Sequence, residues 1–461
     1  MKKSKTQAAL RSLSRHLHAD ELLLNPADCA RFKGDKWFAA HQPDAVVLAR
    51  DADSVCRTLA HAFKHGIPVT PRGAGHGYVG GCVPVNGGIV LSLERMNRII
   101  EINPRDFVAV VQPGVVTAQL QAAAEKKGLF YPPDPASRAD CSIGGNIATN
   151  AGGPRCLKYG VTRDYVLGLQ VALASGDRVD LGSRTHKNKT GFDLHRLFVG
   201  SEGMLGIVTQ ATLKLLPLPP DRAALAAGFP NMAAALRSLE DIFEAGFLPC
   251  ALEIADKFTL AAARKRTGSK DLEGSEALVI TELDGQPSSV RHEIRALERI
   301  LQRRKPVMLK RALGPAACER LWAVRREFSY ALRDTGLTKL NEDVVVPRGK
   351  LHELFKLGAD LQRRFGMHVA CFGHAGDGNI HVNLMVDYSV PASRPKADAA
   401  LDELFKGVLG VGGVVTGEHG IGLAKKPWWN LAASGSMNAL HHSIKQALDP
   451  KGILNPGKFL G

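Results

Sequence analysis

Two glycine-rich segments constrain this 461-residue chain more than any other feature. PRGAGHGYVGG, Pro71–Gly81, directly follows the apolar segment IPVT, and CSIGGNIATNAGG, Cys141–Gly153, comes later in the same region. Glycines let successive backbone N–H groups converge on one point, which suits anionic oxygens. One such loop is explained equally well by a tight turn, and no helix pattern opens after the first as a Rossmann fingerprint requires. Two such loops in one region are harder to explain as turns, and they favour a site for a ligand with anionic oxygens such as a diphosphate.

The hydrophobic pattern around these loops predicts an α+β chain. Apolar strand patterns alternate with amphipathic helix patterns, such as AVVLA followed by DSVCRTLAHAFKHG, which glycine closes. The long segment DPASRADCSIGGNIATNAGG is predicted to be a loop. The proline cluster Pro217–Pro220 marks a boundary. We therefore expect an N-terminal helical segment (1–40), a cofactor domain (41–220), a substrate-covering domain (221–400) and a C-terminal segment (401–461).

Charge and cysteine content narrow the function further. A formal net charge of +15 favours anionic partners such as small acids or phosphates. The sequence shows no nucleic-acid-binding motif and only 6% aromatic residues, so nucleic acid is not an expected partner. The eight cysteines include no CxxC pair, which gives no support to a disulfide framework or an iron–sulfur cluster. No signal-peptide or membrane-spanning pattern is found, so the expected location is cytoplasmic.

A second group of residues can perform chemistry. GHAGDGNIH places His374 and His381 on either side of a Gly-Asp-Gly turn, with Asn383 one strand step further, and GEHGIG adds Glu418 and His419. Two histidines and a carboxylate can bind zinc or ferrous iron. On spacing alone, a histidine pair that is solvated or satisfied within the core is the more common outcome.

The glycine-rich segments, with PPDPASRADCSIGGNIATNAGGPRCLKYGVTRDYVLGL and LFVGSEGMLGIVTQATLKLLP, closely resemble the vanillyl-alcohol oxidase / p-cresol methylhydroxylase flavoprotein family. The most similar branch contains the flavoprotein component of glycolate oxidase, D-lactate dehydrogenase and D-2-hydroxyglutarate dehydrogenase. The resemblance implies a two-subdomain FAD-binding domain of the PCMH type, an α+β cap domain with an antiparallel sheet, and a C-terminal segment that returns to the flavin.

The resemblance also implies which residues contact FAD. They are Arg72, Gly73, Ala74, Gly75, His76 and Gly77 around the pyrophosphate, Pro135, Ser142, Gly145, Asn146, Thr149 and Gly152 along the flavin and ribityl chain, Ile207 and Val208 at the adenosine half, and Asn455. In a related branch, a histidine spaced like His76 is bonded covalently to the flavin. Two expectations therefore stay open for His76, a covalent link or a hydrogen bond only.

For the second group, the resemblance implies a divalent metal, with zinc favoured, on His374, His381 and Glu418. His419 matches the base, and Arg325 and Lys339 match residues that bind the substrate carboxylate; an arginine fork pairs with both carboxylate oxygens. Asn383 is added as a further active-site residue. The alternative for Arg325 is a surface ion pair.

These features predict an FAD-dependent dehydrogenase that converts a 2-hydroxy acid to the 2-oxo acid and passes electrons to a separate carrier protein, a quinone or O₂. A sugar or alditol oxidase and a non-catalytic flavin-binding subunit are the alternatives. A transferase resembling alkyl-dihydroxyacetone-phosphate synthase is disfavoured because its histidine-rich segment is missing. Arg291, Arg295, Arg299 and Arg303 form a cationic stripe, interpreted as a solvated helix face or as a peripheral membrane or partner contact.

Overall fold

The computed structural model describes residues 2–269 and 273–460, with side chains from Lys5 onward. Contacts divide it into two units. The first unit contains the chain up to Gly152, Val161–Leu218, and the chain from Glu418 onward. The second unit contains Gly153–Gly160 and Pro219–Gly417. The chain therefore enters the second unit twice and ends in the first.

The first unit contains a four-stranded sheet, whose strands are β1 (Leu22–Leu23), β2 (Ala45–Leu48), β3 (Val69–Arg72) and β4 (Ile89–Ser92). Their order in the sheet is β1-β2-β4-β3. Strands β2, β4 and β3 are parallel, and β1 is antiparallel to β2. Strands β2 and β4 are buried along their whole length, as is typical of parallel strands. Asp51 caps the helix that follows β2 by accepting a bond from the backbone N–H of Ser54 (2.8 Å), and Gly66 ends it in a left-handed conformation.

A five-stranded antiparallel sheet and a two-stranded ribbon complete the first unit. Their strands are β5 (Ile99–Asn103), β6 (Val108–Val111), β7 (Leu129–Phe130), β8 (Val166–Ala172), β9 (Arg178–Gly182), β10 (Ile207–Lys214) and β11 (Leu216–Pro217). The sheet has the order β5-β6-β10-β8-β9, and β7 and β11 form the ribbon. Buried and half-buried residues alternate along β10, as expected for a strand with one face toward the core.

The α-helices of the first unit are α1 (Lys2–Leu13), α2 (Pro26–Cys29), α3 (Ala52–His65), α4 (Thr117–Glu125), α5 (Ile143–Thr149), α7 (Leu194–Phe198), α14 (Lys426–Ala432) and α15 (Gly435–Leu448). Short 3₁₀ turns lie at Ser14–His16, Ala30–Phe32 and Thr162–Tyr165.

The predicted loop around the second glycine-rich segment is wrong in part, because α5 lies within it. Two glycines in a helix are unfavourable by about 1 kcal/mol each. Ser142 offsets this by accepting a bond from the backbone N–H of Gly145 (3.3 Å), and Ile143 and Ile147 are buried. Capping and burial therefore outweigh the low helix propensity of glycine.

The second unit is built on a seven-stranded sheet, whose strands are β12 (Asp221–Phe229), β13 (Ala251–Asp256), β14 (Ala277–Gly285), β15 (Met308–Leu313), β16 (Thr338–Val345), β17 (His368–His374) and β18 (Asn379–Val386). Their order is β15-β12-β14-β13-β17-β18-β16. Every neighbouring pair is antiparallel, which confirms the antiparallel sheet expected for this half of the chain.

The α-helices of the second unit are α6 (Cys156–Tyr159), α8 (Met232–Glu244), α9 (Lys257–Thr267), α10 (Pro287–Gln302), α11 (Pro315–Arg333), α12 (Leu351–Phe365) and α13 (Ser393–Gly410), with a 3₁₀ turn at Arg348–Lys350. Across residues 2–269 and 273–460, no helix has both the length and the apolar character needed to cross a membrane.

Candidate active site

The first glycine-rich loop begins where β3 ends, at Arg72. The Arg72 guanidinium folds over the loop, donating to the carbonyl of Gly34 (3.3 Å). Gly75 has φ +70°, and a Cβ there would lie 1.7 Å from a terminal nitrogen of Arg72. The position therefore requires glycine for its backbone conformation and for the space that Arg72 occupies. Ala74 and Gly77 lie half-buried in the same turn.

The second glycine-rich segment meets the first. A Cβ on Gly73 would lie 2.5 Å from Oγ of Ser142 and 3.5 Å from the backbone nitrogen of Gly145. Asn146 donates from Nδ2 to Oγ1 of Thr117 (2.8 Å), and Thr149 donates to the carbonyl of Gly145 (3.4 Å). The structure thus brings the two predicted cofactor loops together in one place.

Asn455 reaches this region from the C-terminal end of the chain. Its Nδ2 donates to the carbonyls of Gly81 (3.0 Å) and Glu202 (2.7 Å), and its side chain is buried. Its Oδ1 has no hydrogen-bond partner within the part of the chain that the structure describes. Two close-packed loops and an unpaired buried oxygen fit a ligand that has both phosphate oxygens and N–H donors.

The other predicted cofactor residues lie in the same unit. Pro135 accepts a backbone bond from Arg138 (2.8 Å), and Gly152 is the last residue before the chain enters the second unit. Ile207 and Val208 begin β10 opposite Ala172 and Val171.

His76 is half-buried in the first glycine-rich loop. Burial lowers its pKa, and the positive charge of Lys36 acts in the same direction. The imidazole is therefore favoured in its neutral form.

In the second unit, β17 and β18 form the hairpin predicted for GHAGDGNIH. His374 pairs with Asn379, and Phe372 pairs with His381, which places both histidines on one face of the sheet. Their ring centroids are 5.5 Å apart, and each offers a ligand nitrogen within 4.8 Å of the other. Both side chains are buried, so the solvated alternative is wrong for this pair.

The carboxylate of Glu253, which was not predicted from the sequence, connects two predicted site residues on this face. Oε1 of Glu253, on β13, lies 2.5 Å from Nδ1 of His374, and its Oε2 accepts a bond from Nε of Arg325 (2.6 Å). Burial raises the pKa of Glu253, but His374 and Arg325 outweigh it and lower the value to about 2. Arg325 is therefore held in a buried network, and the surface ion pair considered from sequence is wrong.

Helix α11 crosses this face of the sheet with a stripe of three polar side chains. Trp322 donates to Glu282 on β14 (2.6 Å), Arg325 to Glu253 on β13, and Ser329 lies 2.7 Å from Nζ of Lys339 on β16. The spacing of three and four residues places all three on one side of the helix. Ser329, which the sequence analysis did not single out, belongs to this stripe.

Lys339 is mostly buried. Burial, with a smaller contribution from the charge of Arg333, lowers its pKa to about 7. This ammonium can therefore lose its proton near neutral pH.

Asn383 and Phe372 complete the face. Asn383 is fully buried and donates to the carbonyls of Ala370 (2.9 Å) and His381 (3.0 Å). The Phe372 ring lies 4.7 Å from the Arg325 guanidinium carbon and 5.3 Å from the His381 ring. Phe372 thus places an apolar surface against both Arg325 and His381.

The chain passes from the second unit to the first between Gly417 and Glu418. In the second unit, Asp343 accepts bonds from the backbone N–H of Gly417 and from Thr416 (both 2.9 Å), and Asp343 pairs with His381 in the sheet. Gly417, the residue before Glu418, is therefore held by a residue that pairs with His381.

In the first unit, the segment after Glu418 is fixed by Glu202. This buried carboxylate accepts bonds from the backbone N–H groups of Ile421 (2.7 Å) and Gly422 (2.8 Å). In the sequence, His419 lies between Gly417, which is bonded to Asp343, and Ile421, which is bonded to Glu202. The His419 ring is 5.4 Å from that of Tyr78. Nε2 of His419 is 3.9 Å from Oε1 of Glu418.

Two family models match the chain. The C-terminal domain of FAD linked oxidases matches residues 218–459, which is more than half of the chain, and an FAD binding domain matches residues 43–182. The chain belongs to the FAD-linked oxidase family. FAD is thus the cofactor, as the sequence predicts, and both glycine-rich segments lie within the matched FAD binding domain.

Several relatives of this FAD-linked oxidase have names that state a function. Glycolate oxidase subunit GlcD of Bacillus subtilis is 39% identical over 417 residues, covering 90% of this chain and 89% of that protein. D-lactate dehydrogenase of Archaeoglobus fulgidus is 36% identical, with 94% and 96% covered. D-2-hydroxyglutarate dehydrogenase of Stutzerimonas stutzeri is 32% identical, with 95% and 96% covered.

Solved structures show the same fold. A substrate-bound p-cresol methylhydroxylase has a TM-score of 0.83 at 19% identity and covers 99% of this FAD-linked oxidase and 97% of its own chain. Alkyldihydroxyacetonephosphate synthase has a TM-score of 0.76 at 20% identity, covering 98% and 85%. The expected fold, an FAD-binding domain of the PCMH type with an α+β cap domain, is confirmed.

Proposed function

We propose that this FAD-linked oxidase is a dehydrogenase that oxidises a 2-hydroxy acid of the D-lactate, glycolate or D-2-hydroxyglutarate type to the 2-oxo acid. The observation that carries the proposal is the shared face of the second unit, where one carboxylate joins a histidine of a close pair to an arginine. Such a face can hold a carboxylate and a hydroxyl together, as a 2-hydroxy acid requires.

The two glycine-rich loops, Ile207, Val208 and Asn455 would hold the flavin. When bound, FAD supplies the acceptor for the hydride that leaves the alcohol carbon. The protein contributes backbone N–H groups for the pyrophosphate and the unpaired Oδ1 of Asn455 for an N–H donor.

His374, His381 and Glu418 would hold a divalent metal, and their two imidazoles and one carboxylate suit zinc. When bound, the metal supplies Lewis acidity that lowers the pKa of a coordinated hydroxyl. The chain contributes the rigid hairpin under the histidines and the Asp343 anchor beside Gly417.

The substrate carboxylate would pair with the terminal nitrogens of Arg325, because its Nε is already bonded to Glu253. Lys339, linked to Ser329, would add a second positive charge. Asn383 shares the His381 face and would orient the substrate through its amide oxygen, which has no hydrogen-bond partner among the described residues.

His419 would remove the hydroxyl proton as the hydride leaves, since a neutral imidazole is a suitable base near neutral pH. The Glu202 anchor on Ile421 and Gly422 limits the movement of the segment that carries His419. Proton and hydride together account for the two hydrogens lost when the alcohol becomes a ketone.

Anaerobic mixing of the holoenzyme with D-lactate, glycolate and D-2-hydroxyglutarate tests this function. We expect at least one acid to bleach the flavin and to yield its 2-oxo acid in equal amount. Unchanged flavin absorbance across a broad 2-hydroxy-acid panel would contradict the proposal and favour a non-catalytic flavin-binding subunit. Hydrogen peroxide formation with polyols would favour an alditol oxidase.

The flavin is proposed to be held without a covalent bond, with His76 as a hydrogen-bonding neighbour. Acid precipitation separates the two cases. A colourless pellet with free FAD in the supernatant is the expected result, whereas a yellow pellet would establish a covalent link.

The electrons are proposed to leave to a separate carrier protein, a quinone or O₂, at a cytoplasmic location. The exposed arginines of α10 and its C-terminal cap (Arg291, Arg295, Arg299 and Arg303) would give an acidic partner or a membrane surface a place of contact. Sedimentation with anionic vesicles checks the membrane contact.

A further inference from the structure

Glu253 occupies an unusual position in the second unit. Its side chain is 1% exposed, yet both carboxylate oxygens are bonded to side chains of the proposed substrate and metal site. One oxygen lies against Nδ1 of His374, and the other accepts from Nε of Arg325. We propose that Glu253 is a positioning residue that fixes the metal-binding nitrogen of His374 and the orientation of Arg325 at the same time.

The hydrogen bonds determine which nitrogen of His374 is available. An ionised carboxylate only accepts hydrogen bonds, so Nδ1 of His374 must carry a hydrogen. The neutral imidazole then has its lone pair on Nε2, so Nε2 is the nitrogen that would bind a cation. A carboxylate behind a metal-binding histidine also raises the basicity of the ring.

The same carboxylate restricts Arg325. Because Nε is bonded to Glu253, rotation about the end of the side chain is limited, and both terminal nitrogens remain as donors. The Phe372 ring, 4.7 Å from the guanidinium carbon, supports one face of the planar group. Glu253 therefore links hydroxyl binding to carboxylate binding within one substrate.

Glu253→Gln tests this role, which rests on the proposed function. An amide can accept from Arg325 only by turning its NH₂ toward His374, which would force the hydrogen of the imidazole onto Nε2. If the amide turns the other way, its NH₂ faces the N–H of Arg325. The first arrangement keeps both bonds but removes the lone pair from Nε2 of His374, and the second loses the bond to Arg325.

Glu282→Gln is the matched control. Glu282 is also buried, lies on the adjacent strand β14, and accepts a bond from Trp322 of the same helix. Its side chain also bonds to Arg222 and Cys250, and neither these residues nor Trp322 belong to the proposed substrate or metal site. Both variants replace a buried, hydrogen-bonded carboxyl group by an amide, so a purely structural role predicts the same outcome for both.

Zn²⁺ affinity, measured by competition with a chromogenic chelator, is the main readout. We expect Glu253→Gln to lower the affinity about 10- to 100-fold and to raise KM for the acid more than it lowers kcat at saturating Zn²⁺. Glu253→Asp, which keeps the charge on a shorter side chain, should fall between wild type and Glu253→Gln. Glu282→Gln should keep wild-type Zn²⁺ affinity and KM, even if it unfolds at a lower temperature.

Equal Zn²⁺ affinity in wild type and Glu253→Gln would overturn the inference, as would equal losses in the Glu253 and Glu282 variants. If Glu253→Gln does not fold, a wild-type affinity in Glu253→Asp would overturn it instead. Absence of Zn²⁺ binding in wild type would remove the metal proposal and this inference with it. The acid panel would still test 2-hydroxy-acid oxidation separately.

Discussion

The cofactor region of the first unit is built mainly from backbone, whereas the substrate face of the second unit is built from charged and aromatic side chains. In the first, glycines allow two loops to approach so closely that a Cβ on Gly73 would clash with Ser142. In the second, Glu253, His374 and Arg325 are joined by hydrogen bonds between distant parts of the chain. A backbone site depends on empty space, and a side-chain site depends on partners, so the two should respond differently to mutation.

The largest effect is expected where a metal-binding side chain is removed. His381→Gln should lose bound zinc and lower turnover of the acid by about 10³-fold, because a metal contributes several kcal/mol to such a reaction. The flavin should remain bound, since His381 belongs to the side-chain site. Metal analysis and steady-state kinetics measure both effects.

His368→Gln is the control for that variant, because His368 is exposed at the start of the strand that ends at His374. It should retain zinc and activity. Loss of flavin from His381→Gln would contradict the claim that the side-chain site and the cofactor region respond independently to mutation.

The backbone region should be sensitive to added volume. Gly73→Val should weaken FAD binding about 10- to 100-fold, because overpacking of this kind costs about 1–3 kcal/mol. Zinc should remain bound. Flavin titration by fluorescence quenching measures the change.

Gly81→Ala is the matched control in the same loop, because a Cβ there would have no atom within 4 Å. Wild-type FAD affinity in Gly73→Val would show that the contact between the two loops does not matter for the cofactor.

Lys339 should make activity depend on pH. Because burial lowers its pKa to about 7, the free enzyme carries this positive charge below that pH and loses it above. If the charge binds the acid, kcat/KM should fall about tenfold per pH unit above pH ~7. Lys339→Met should have a low kcat/KM without this alkaline decrease, whereas the exposed Lys310→Met should follow wild type. A wild-type profile that is flat through this range would remove Lys339 from substrate binding.

The smallest effect is expected at the anchor next to Glu418. Thr416→Val removes one bond to Asp343 and should lower the free energy of unfolding by about 1 kcal/mol, with a severalfold loss of Zn²⁺ affinity. Thr335→Val loses the bond donated to the carbonyl of Leu332 (2.7 Å) and a longer one accepted from the backbone N–H of Leu337 (3.4 Å), and it should lower the free energy of unfolding at least as much without affecting zinc. Thermal unfolding and chelator competition compare the pair. Equal Zn²⁺ affinity in the two variants would show that the anchor does not act on the site.

The difference between a site built from backbone and one built from side chains also explains how much could be predicted from the sequence. The strands and the helix around the first loop and the β17–β18 hairpin follow from apolar periodicity and turn residues, which act locally. The antiparallel sheet of the second unit was expected from the family resemblance instead. Helix α5 was missed because its cap at Ser142 and its buried isoleucines outweigh glycine propensity. Long motifs identified the glycine-rich loops.

Glu253 could not be found in this way. Its partners lie 72 and 121 residues further along the chain, and contact requires the pairing of β13 with β17 and the packing of α11 on the sheet. Ser329 was also missed, although the sequence contains a hint. Its spacing from Trp322 and Arg325 places it on the same side of α11 as those two residues. That spacing points to the site only once the contacts of Trp322 and Arg325 are known.

Anaerobic single-turnover reduction of the flavin tests most directly whether an acid held by the second unit supplies electrons to the flavin of the first. The comparison uses wild type, Arg325→Met and Arg326→Met, since Arg326 is an exposed neighbour that pairs with Glu319. We predict that the acid bleaches wild type and Arg326→Met at similar concentrations. In Arg325→Met, the flavin should stay oxidised at those acid concentrations and should still be reduced by dithionite. Bleaching of Arg325→Met by the acid at the wild-type rate and concentration would contradict the account.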